Sequence, residues 1–306
     1  MKILISGATG LIGSALSASL EADGHKVLRL SRGEAKRKID PSFVQWQPDE
    51  GRFDIHEMEK LDGVQAAIHL AGENIMGRWT DEKKRRIRES RVRSTHLLAE
   101  TLAKLPTRPQ VLISASATGY YGHRGREVLR EDSASGRGFL AGVCREWEDA
   151  TSAARNAGIR TVHARFGVVL SRDGGALQKM LLPFQLGLGG AMGSGRQYLS
   201  WITLDDAVSA LRFALDHSKI EGAMNTVAPN PVSNRDFAQT LAGVLRRPAV
   251  APLPAFVLKL ALGKEAANET LLSSQRAIPE KLQANGFAFQ QPELENALRE
   301  ILTASY

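Results

Sequence analysis

The sequence predicts an α/β fold: a doubly wound parallel sheet with a smaller C-terminal lobe. Three observations carry this. Short apolar runs alternate with segments of helical period through residue 170. A glycine-rich turn joins the first run to the first helix. Beyond residue 170 the chain shifts toward glycine and proline. With 306 residues, 43% hydrophobic and 24% charged, the chain is long and apolar enough to bury a sizeable core, which argues against disorder.

Lys2–Ser6 is a short apolar run suited to a buried parallel strand. Leu11–Ala22 carries Leu11, Ala15, Leu16, Ala18 and Leu20 at helical spacing, with Gly24 as the stop. Residues 26–30 and 64–70 read as further strands. Residues 80–105 form a long charged helix, with Thr80 as N-cap and Pro106 beyond its end. Residues 111–114 are the next strand, 139–157 a helix closed by Gly158, and 161–170 strand again. Such repeated units imply a parallel sheet covered on both faces. Residues 173–195 are glycine-rich and enclose Pro183 and Phe184. Residues 204–215 form a helix, 224–227 a strand, and Asn234–Leu245 and Ala255–Leu262 two short helices among five prolines between 229 and 255. The division is therefore residues 1–170, with 204–228 returning to them, as the sheet domain, and 171–203 with 229–306 as a smaller, irregular lobe.

Gly7, Ala8, Thr9, Gly10, Leu11, Ile12 and Gly13 lie between the first strand and first helix. The strand delivers the chain to the sheet edge, glycines permit a tight turn and close approach, and the helix offers unpaired N–H groups to a pyrophosphate. This is the phosphate-binding arrangement of a Rossmann-type domain, here with Gly-x-x-Gly-x-x-Gly spacing. The alternative is a purely structural turn. An NAD-binding strand would place a carboxylate about 20 residues on. Here the second strand ends on Ser31 and Arg32, with Lys36, Arg37 and Lys38 following. A guanidinium and a hydroxyl suit the 2′-phosphate of NADP(H). A solvated basic loop is the plain alternative.

Further motifs follow in order: His69 to Asn74, Arg78-Trp79-Thr80, Ser90-Arg91, Ser116 to Gly122, Phe166 to Leu170, Leu182 to Gly190, Gly193 to Gln197 and Ser200 to Ile202. With the glycine loop, these resemble, end to end, the atypical extended short-chain dehydrogenases called epimerase family proteins. That group is sugar-nucleotide epimerase-like, and some bacterial members carry a cell-division-inhibitor label. The resemblance implies a Rossmann core that binds NADP(H), and a C-terminal substrate lobe. It implies that Leu70, Ala71, Gly72 and Arg91 face the cofactor, and that Phe166, Gly167 and Val168 pass the nicotinamide; ordinary sheet-edge packing is the alternative for each.

The same resemblance leads to the expected chemistry. In members of the superfamily a Tyr exchanges a proton with the substrate hydroxyl, a Lys four residues after it lowers the Tyr pKa and holds the nicotinamide ribose, and a Ser hydrogen-bonds the reacting oxygen. Ser116 fits the serine. The Tyr–Lys positions fall on Leu140 and Cys144, or on Phe139 and Val143, none of which supplies that pair. Tyr120 and Tyr121 are substitute acids, or else walls of the pocket. The implied activity is an NADP(H)-dependent oxidoreductase or nucleotide-sugar epimerase; the alternative is a non-catalytic sensor or regulator.

Arg196, Gln197, Trp201 and Arg276 are candidates to hold a small anionic or nucleotide-linked substrate, with surface ion pairing as the alternative for the arginines. The net charge of +7, from 40 Lys and Arg against 33 Asp and Glu, favours an anionic ligand. The basic run from Lys83 to Arg93 spreads around its helix and lacks interleaved aromatics, so nucleic acid is not expected. Seven scattered histidines show no metal-ligand spacing. A single cysteine, Cys144, no leader and no apolar span of about 20 residues point to a cytoplasmic protein without membrane contact.

Overall fold

A computed structural model describes residues 1–32, 40, 42–53, 55–249 and 251–303. Seven strands form the central sheet: β1 (Lys2–Ser6), β2 (Lys26–Ser31), β3 (Phe43–Gln45), β4 (Ala66–His69), β5 (Val111–Ala117), β6 (Arg160–Phe166) and β7 (Gly222–Thr226). Their order is β7-β6-β5-β4-β1-β2-β3, and every pairing is parallel. The doubly wound Rossmann-type α/β sheet expected from the sequence is therefore present.

Its principal helices are α1 (Leu11–Ala22), α2 (Asp81–Lys104), α3 (Phe139–Asp149), α4 (Gly175–Gln185) and α5 (Leu204–Asp216). Alternate strand residues enter opposite layers, as the pleat requires. Ile3, Ile5 and Ile113 pack with Leu16 and Leu20 of α1 and Leu211 of α5. Leu4, Leu28 and Leu112 pack with Leu98 and Leu102 of α2. Burial on both faces explains why the strands read as continuous apolar runs.

Some boundaries differ from the sequence reading. Residues 139–157 form two helices, α3 and Ser152–Asn156, not one. At the break the buried Thr151 hydroxyl donates to the Glu148 carbonyl and lies 2.9 Å from His163 Nε2, a local alternative to continued helix. Residues 161–170 split at Gly167. Val168–Leu170 leaves the sheet and pairs with Trp201–Thr203. A Cβ at Gly167 would lie 2.4 Å from the Ser200 carbonyl oxygen, so the crossing needs glycine. The glycine-rich stretch contains a true helix, α4, and Phe43–Gln45 adds an edge strand that the sequence reading lacked.

A separate apolar cluster holds the C-terminal lobe together through Leu177, Phe184, Trp201, Phe237, Leu241 and Leu298. Among the described residues no helix is long and apolar enough to cross a membrane.

Candidate functional site

The chain leaves β1 toward β2 and β3, then crosses back to β4 and continues away on the other side. Where the winding reverses, the carboxyl ends of β1 and β4 open a crevice, the usual ligand position in such sheets. The glycine loop sits there. Gly7 has φ +70°, and a Cβ on it would lie 2.8 Å from the Ala71 nitrogen. A Cβ on Gly13 would lie 2.2 Å from the Gly7 carbonyl oxygen. The third glycine thus lets α1 approach the loop itself. Gly10 is the N-cap of α1 and no side chain caps the helix, which leaves its first-turn amides for an anion.

The β1–β2 register pairs Ser6 with Leu30, so Ser31 and Arg32 follow beside the loop. Arg32 is exposed there. Lys36, Arg37 and Lys38 lie outside the described residues. Thr9 is exposed at the turn and does not line the cleft.

The crevice widens into a cleft of about 550 Å³. It brings together Gly7, Gly10, Leu11, Ile12, Gly13, Leu70, Arg91, Ser116, Val168 and Gln197 from the expected set. Ala71 backs the Gly7 turn, and Gly72 lies under Arg91, where a Cβ would come within 3.2 Å of the guanidinium carbon. Burial lowers the Arg91 pKa from its ordinary value. Its Nη1 donates to the Ile87 carbonyl at 3.0 Å, and the guanidinium stands over the Trp147 ring at 5.1 Å.

The catalytic expectations fare differently. Ser116 lines the cleft, and its hydroxyl donates to Glu148 Oε1 at 2.7 Å. Tyr121 does not reach the cleft. It is fully buried, its hydroxyl donating to Asn225 Oδ1 at 2.6 Å and accepting from Arg165 Nη1 at 3.0 Å. Burial pushes its pKa up to about 12. Tyr120 also lies outside the cleft wall, its ring 3.5 Å from the Arg165 guanidinium carbon. The Tyr121 hydroxyl is thus held inside a packed charge cluster, Tyr120 packs on the same guanidinium, and neither lines the cleft. Leu140, Val143 and Cys144 do line the cleft. The Cys144 thiol is buried, with its pKa pushed up to about 12 mainly by desolvation. His69, below the crevice floor, bonds Ser6 and Ser94, and burial holds its pKa down at about 3.

Of the substrate candidates, only Gln197 faces the cleft, and its Nε2 donates to the Met192 and Leu271 carbonyls at 2.9 and 3.2 Å. Trp201 is instead a core residue of the lobe, with Nε1 donating to the Asn230 carbonyl at 3.0 Å. Arg196 is exposed and outside the wall, and Arg276 stands 5.0 Å from the Tyr198 ring, also outside it. The anion clamp expected of these two arginines is not formed at this cleft.

The sequence reading missed several polar residues of the wall, Thr118, Asn234, Glu269 and Gln275 among them. Thr118 Oγ1 donates to Gln275 Oε1 at 3.0 Å, and Asn234 Oδ1 accepts from the Met192 amide at 2.7 Å. Glu269 accepts from the Phe139 and Leu140 amides at 2.9 and 2.8 Å, capping α3 from the C-terminal lobe. The partners are up to 157 residues apart, so no local spacing announces them.

Residues 3–226 match the NAD dependent epimerase/dehydratase family. The chain belongs to that family. Residues 253–301 match a domain of unknown function, DUF1731. This family member is 41% identical over 297 residues to epimerase family protein Mb2239 of Mycobacterium bovis, covering 97% of this chain and 96% of the relative. It is also similar to the crystal structure of human epimerase family protein SDR39U1 with NADPH. There the TM-score is 0.88 and the identity 35%, over 98% of this chain and 99% of the human one. A nucleoside-diphosphate sugar epimerase from Corynebacterium glutamicum gives a TM-score of 0.79 at 38% identity, over 98% of this chain and 58% of that one. These relatives bear out the resemblance carried by the motifs from Gly7 to Ile202.

Proposed function

We propose that this chain binds NADP(H) along the crevice between β1 and β4, with a small polar molecule beside it, and uses no tyrosine–lysine proton relay. The observation that carries the coenzyme reading is the cradle at residues 7–13. Gly7 and Gly13 admit no Cβ, and the amino end of α1 has no side-chain cap. A bound nicotinamide coenzyme supplies a hydride donor or acceptor. Around it, the α1 amides receive the pyrophosphate, Ser31 and Arg32 receive the 2′-phosphate, and Ser116 and Val168 flank the far end. The NADPH of the human relative supports the choice of NADP(H) over NAD.

The use made of that coenzyme has two readings, an oxidoreductase or nucleotide-sugar epimerase, and a non-catalytic sensor or regulator. Leu140 and Cys144 on the cleft wall, with Tyr121 locked behind it, favour the second. The lobe side offers the neutral groups Thr118, Gln197, Asn234 and Gln275, which suit an uncharged polar ligand better than a phosphate. The basic helix pairs with acids of neighbouring elements, Lys83 with Glu73, Lys84 with Glu265 and Arg88 with Glu146, which supports a structural role for its charges over nucleic-acid binding. A cytoplasmic location rests on the single unpaired cysteine.

The test is to load the protein with NADPH and screen carbonyl compounds and nucleotide sugars, following nicotinamide absorbance and epimer formation. The expected result is saturable NADPH binding without turnover. Turnover abolished by Ser116→Ala would restore the enzyme reading, and no NADPH binding would overturn both.

A further inference from the structure

Ser116 lies next to the end of β5 and lines the cleft. A serine hydroxyl has one proton to give and two lone pairs to receive with. Here the proton has a fixed destination, Glu148 Oε1 at 2.7 Å. Glu148 also accepts from Arg165 Nε on Oε1 and from Arg165 Nη2 on Oε2, both at 2.8 Å. A buried carboxylate that accepts from a guanidinium on both oxygens meets Ser116 as an acceptor as well. The serine is therefore the donor of that bond. Arg165 is held in place in turn, its Nη1 donating to the Tyr121 hydroxyl and the Glu131 carbonyl. Among the described residues nothing donates to Ser116 Oγ, so its lone pairs are left to the cleft.

We propose that Glu148 and Arg165 fix Ser116 as a hydrogen-bond acceptor, so that the cleft selects a donor at this point, a hydroxyl or an amide N–H, and disfavours a bare carbonyl oxygen. Glu148 is the positioning residue, and Ser116 the group that meets the ligand. A carbonyl oxygen set against Ser116 would meet lone pairs with no proton between them. A serine fixed as acceptor does not donate to a reacting carbonyl oxygen, which narrows the hydrogen bond that the family resemblance implied for it. The donor has two sources, the carboxamide of a nicotinamide or a hydroxyl of a second ligand. Only the first rests on the NADP(H) reading above.

The test uses paired probes that differ in the donor, on the wild-type protein and Ser116→Ala. That variant removes only Oγ and leaves both Arg165–Glu148 bonds, so folding is not at issue. The first pair is NADPH and its 3-acetylpyridine analogue, in which a methyl replaces the amide nitrogen and the carbonyl is kept. The second is cyclohexanol and cyclohexanone, measured with and without NADP⁺. The expected result is that one donor-bearing probe binds roughly tenfold tighter than its partner. Ser116→Ala should erase that difference by weakening the donor probe alone. If the pair concerned is the nucleotides, the carboxamide is the donor; if the alcohol and ketone, a second ligand supplies it. Affinities indifferent to Ser116, or a variant that weakens the ketone or the acetylpyridine analogue, would overturn the proposal. Neutron diffraction of the coenzyme-free protein should find the Ser116 deuteron directed at Glu148; a deuteron directed into the cleft would overturn it. A protein that fails to bind NADPH but keeps that deuteron and the alcohol preference would sink the coenzyme reading and spare this one.

Discussion

His69 shows how much one buried side chain can dictate. It is fully buried under the crevice between Ser6 and Ser94, and burial holds its pKa at about 3 against an ordinary 6.5. The folded protein refuses a proton that the unfolded chain accepts. Above pH 6.5 neither state is protonated and nothing is lost. As pH falls from 6.5 toward 3, the unfolded state binds more protons and stability drops by at most about 1.4 kcal/mol per pH unit. Below about 3 the loss levels off. Urea denaturation at pH 7 and pH 5 should therefore show His69→Gln losing about 2 kcal/mol less than the wild type between the two. Equal losses would contradict a neutral buried imidazole. At this scale the sequence was legible where a residue acts through its own backbone. Gly7, Gly10 and Gly13 announced their roles by spacing between a strand and a helix. Ser116 was legible as a position but not as a chemistry, because its partner Glu148 lies 32 residues away on a helix. Tyr121 looked available in sequence, and only the fold shows Asn225 and Arg165 holding its hydroxyl.

Helices were legible where their ends carried local signals. Thr80 caps α2, its hydroxyl accepting from the Lys83 amide at 3.1 Å, and α1 stops just before Gly24. The amino end of α3 carries no capping signal of that kind. Gly138 offers no side chain, and Glu269 of the C-terminal lobe takes the first amides of α3 instead. A Cβ on Gly138 would lie 2.7 Å from the Glu269 carboxylate, so the glycine makes room for this cap. A carboxylate at a helix amino end is favourable both for the open amides and for the helix dipole. Glu269→Ala should lower stability by about 1–2 kcal/mol, read as a shift in denaturant midpoint, with Glu269→Gln in between. An unshifted midpoint for the alanine variant would show that the contact does not join lobe and core. The break at Thr151 was hidden for the same reason, since the imidazole beside its hydroxyl belongs to β6.

Across the whole molecule, the sheet order β7-β6-β5-β4-β1-β2-β3 sets where a ligand can lie. Alternating strand and helix signals made the sheet and its reversal readable, because a doubly wound topology leaves one crevice at its switch point. The far wall of the cleft was not readable. It is built by Thr118, Asn234, Glu269 and Gln275, which converge only when the C-terminal lobe folds over the sheet. Coenzyme choice is the sharpest consequence of the arrangement, since β2 delivers Arg32 beside the glycine loop with no carboxylate at its end. The direct test is the affinity of NADPH and NADH for the wild type and for Arg32→Asp, by fluorescence titration. Loss of a charge-assisted contact should weaken NADPH roughly 10- to 100-fold while leaving NADH within a few fold. Equal losses for both coenzymes, or a wild type that binds neither, would contradict the account.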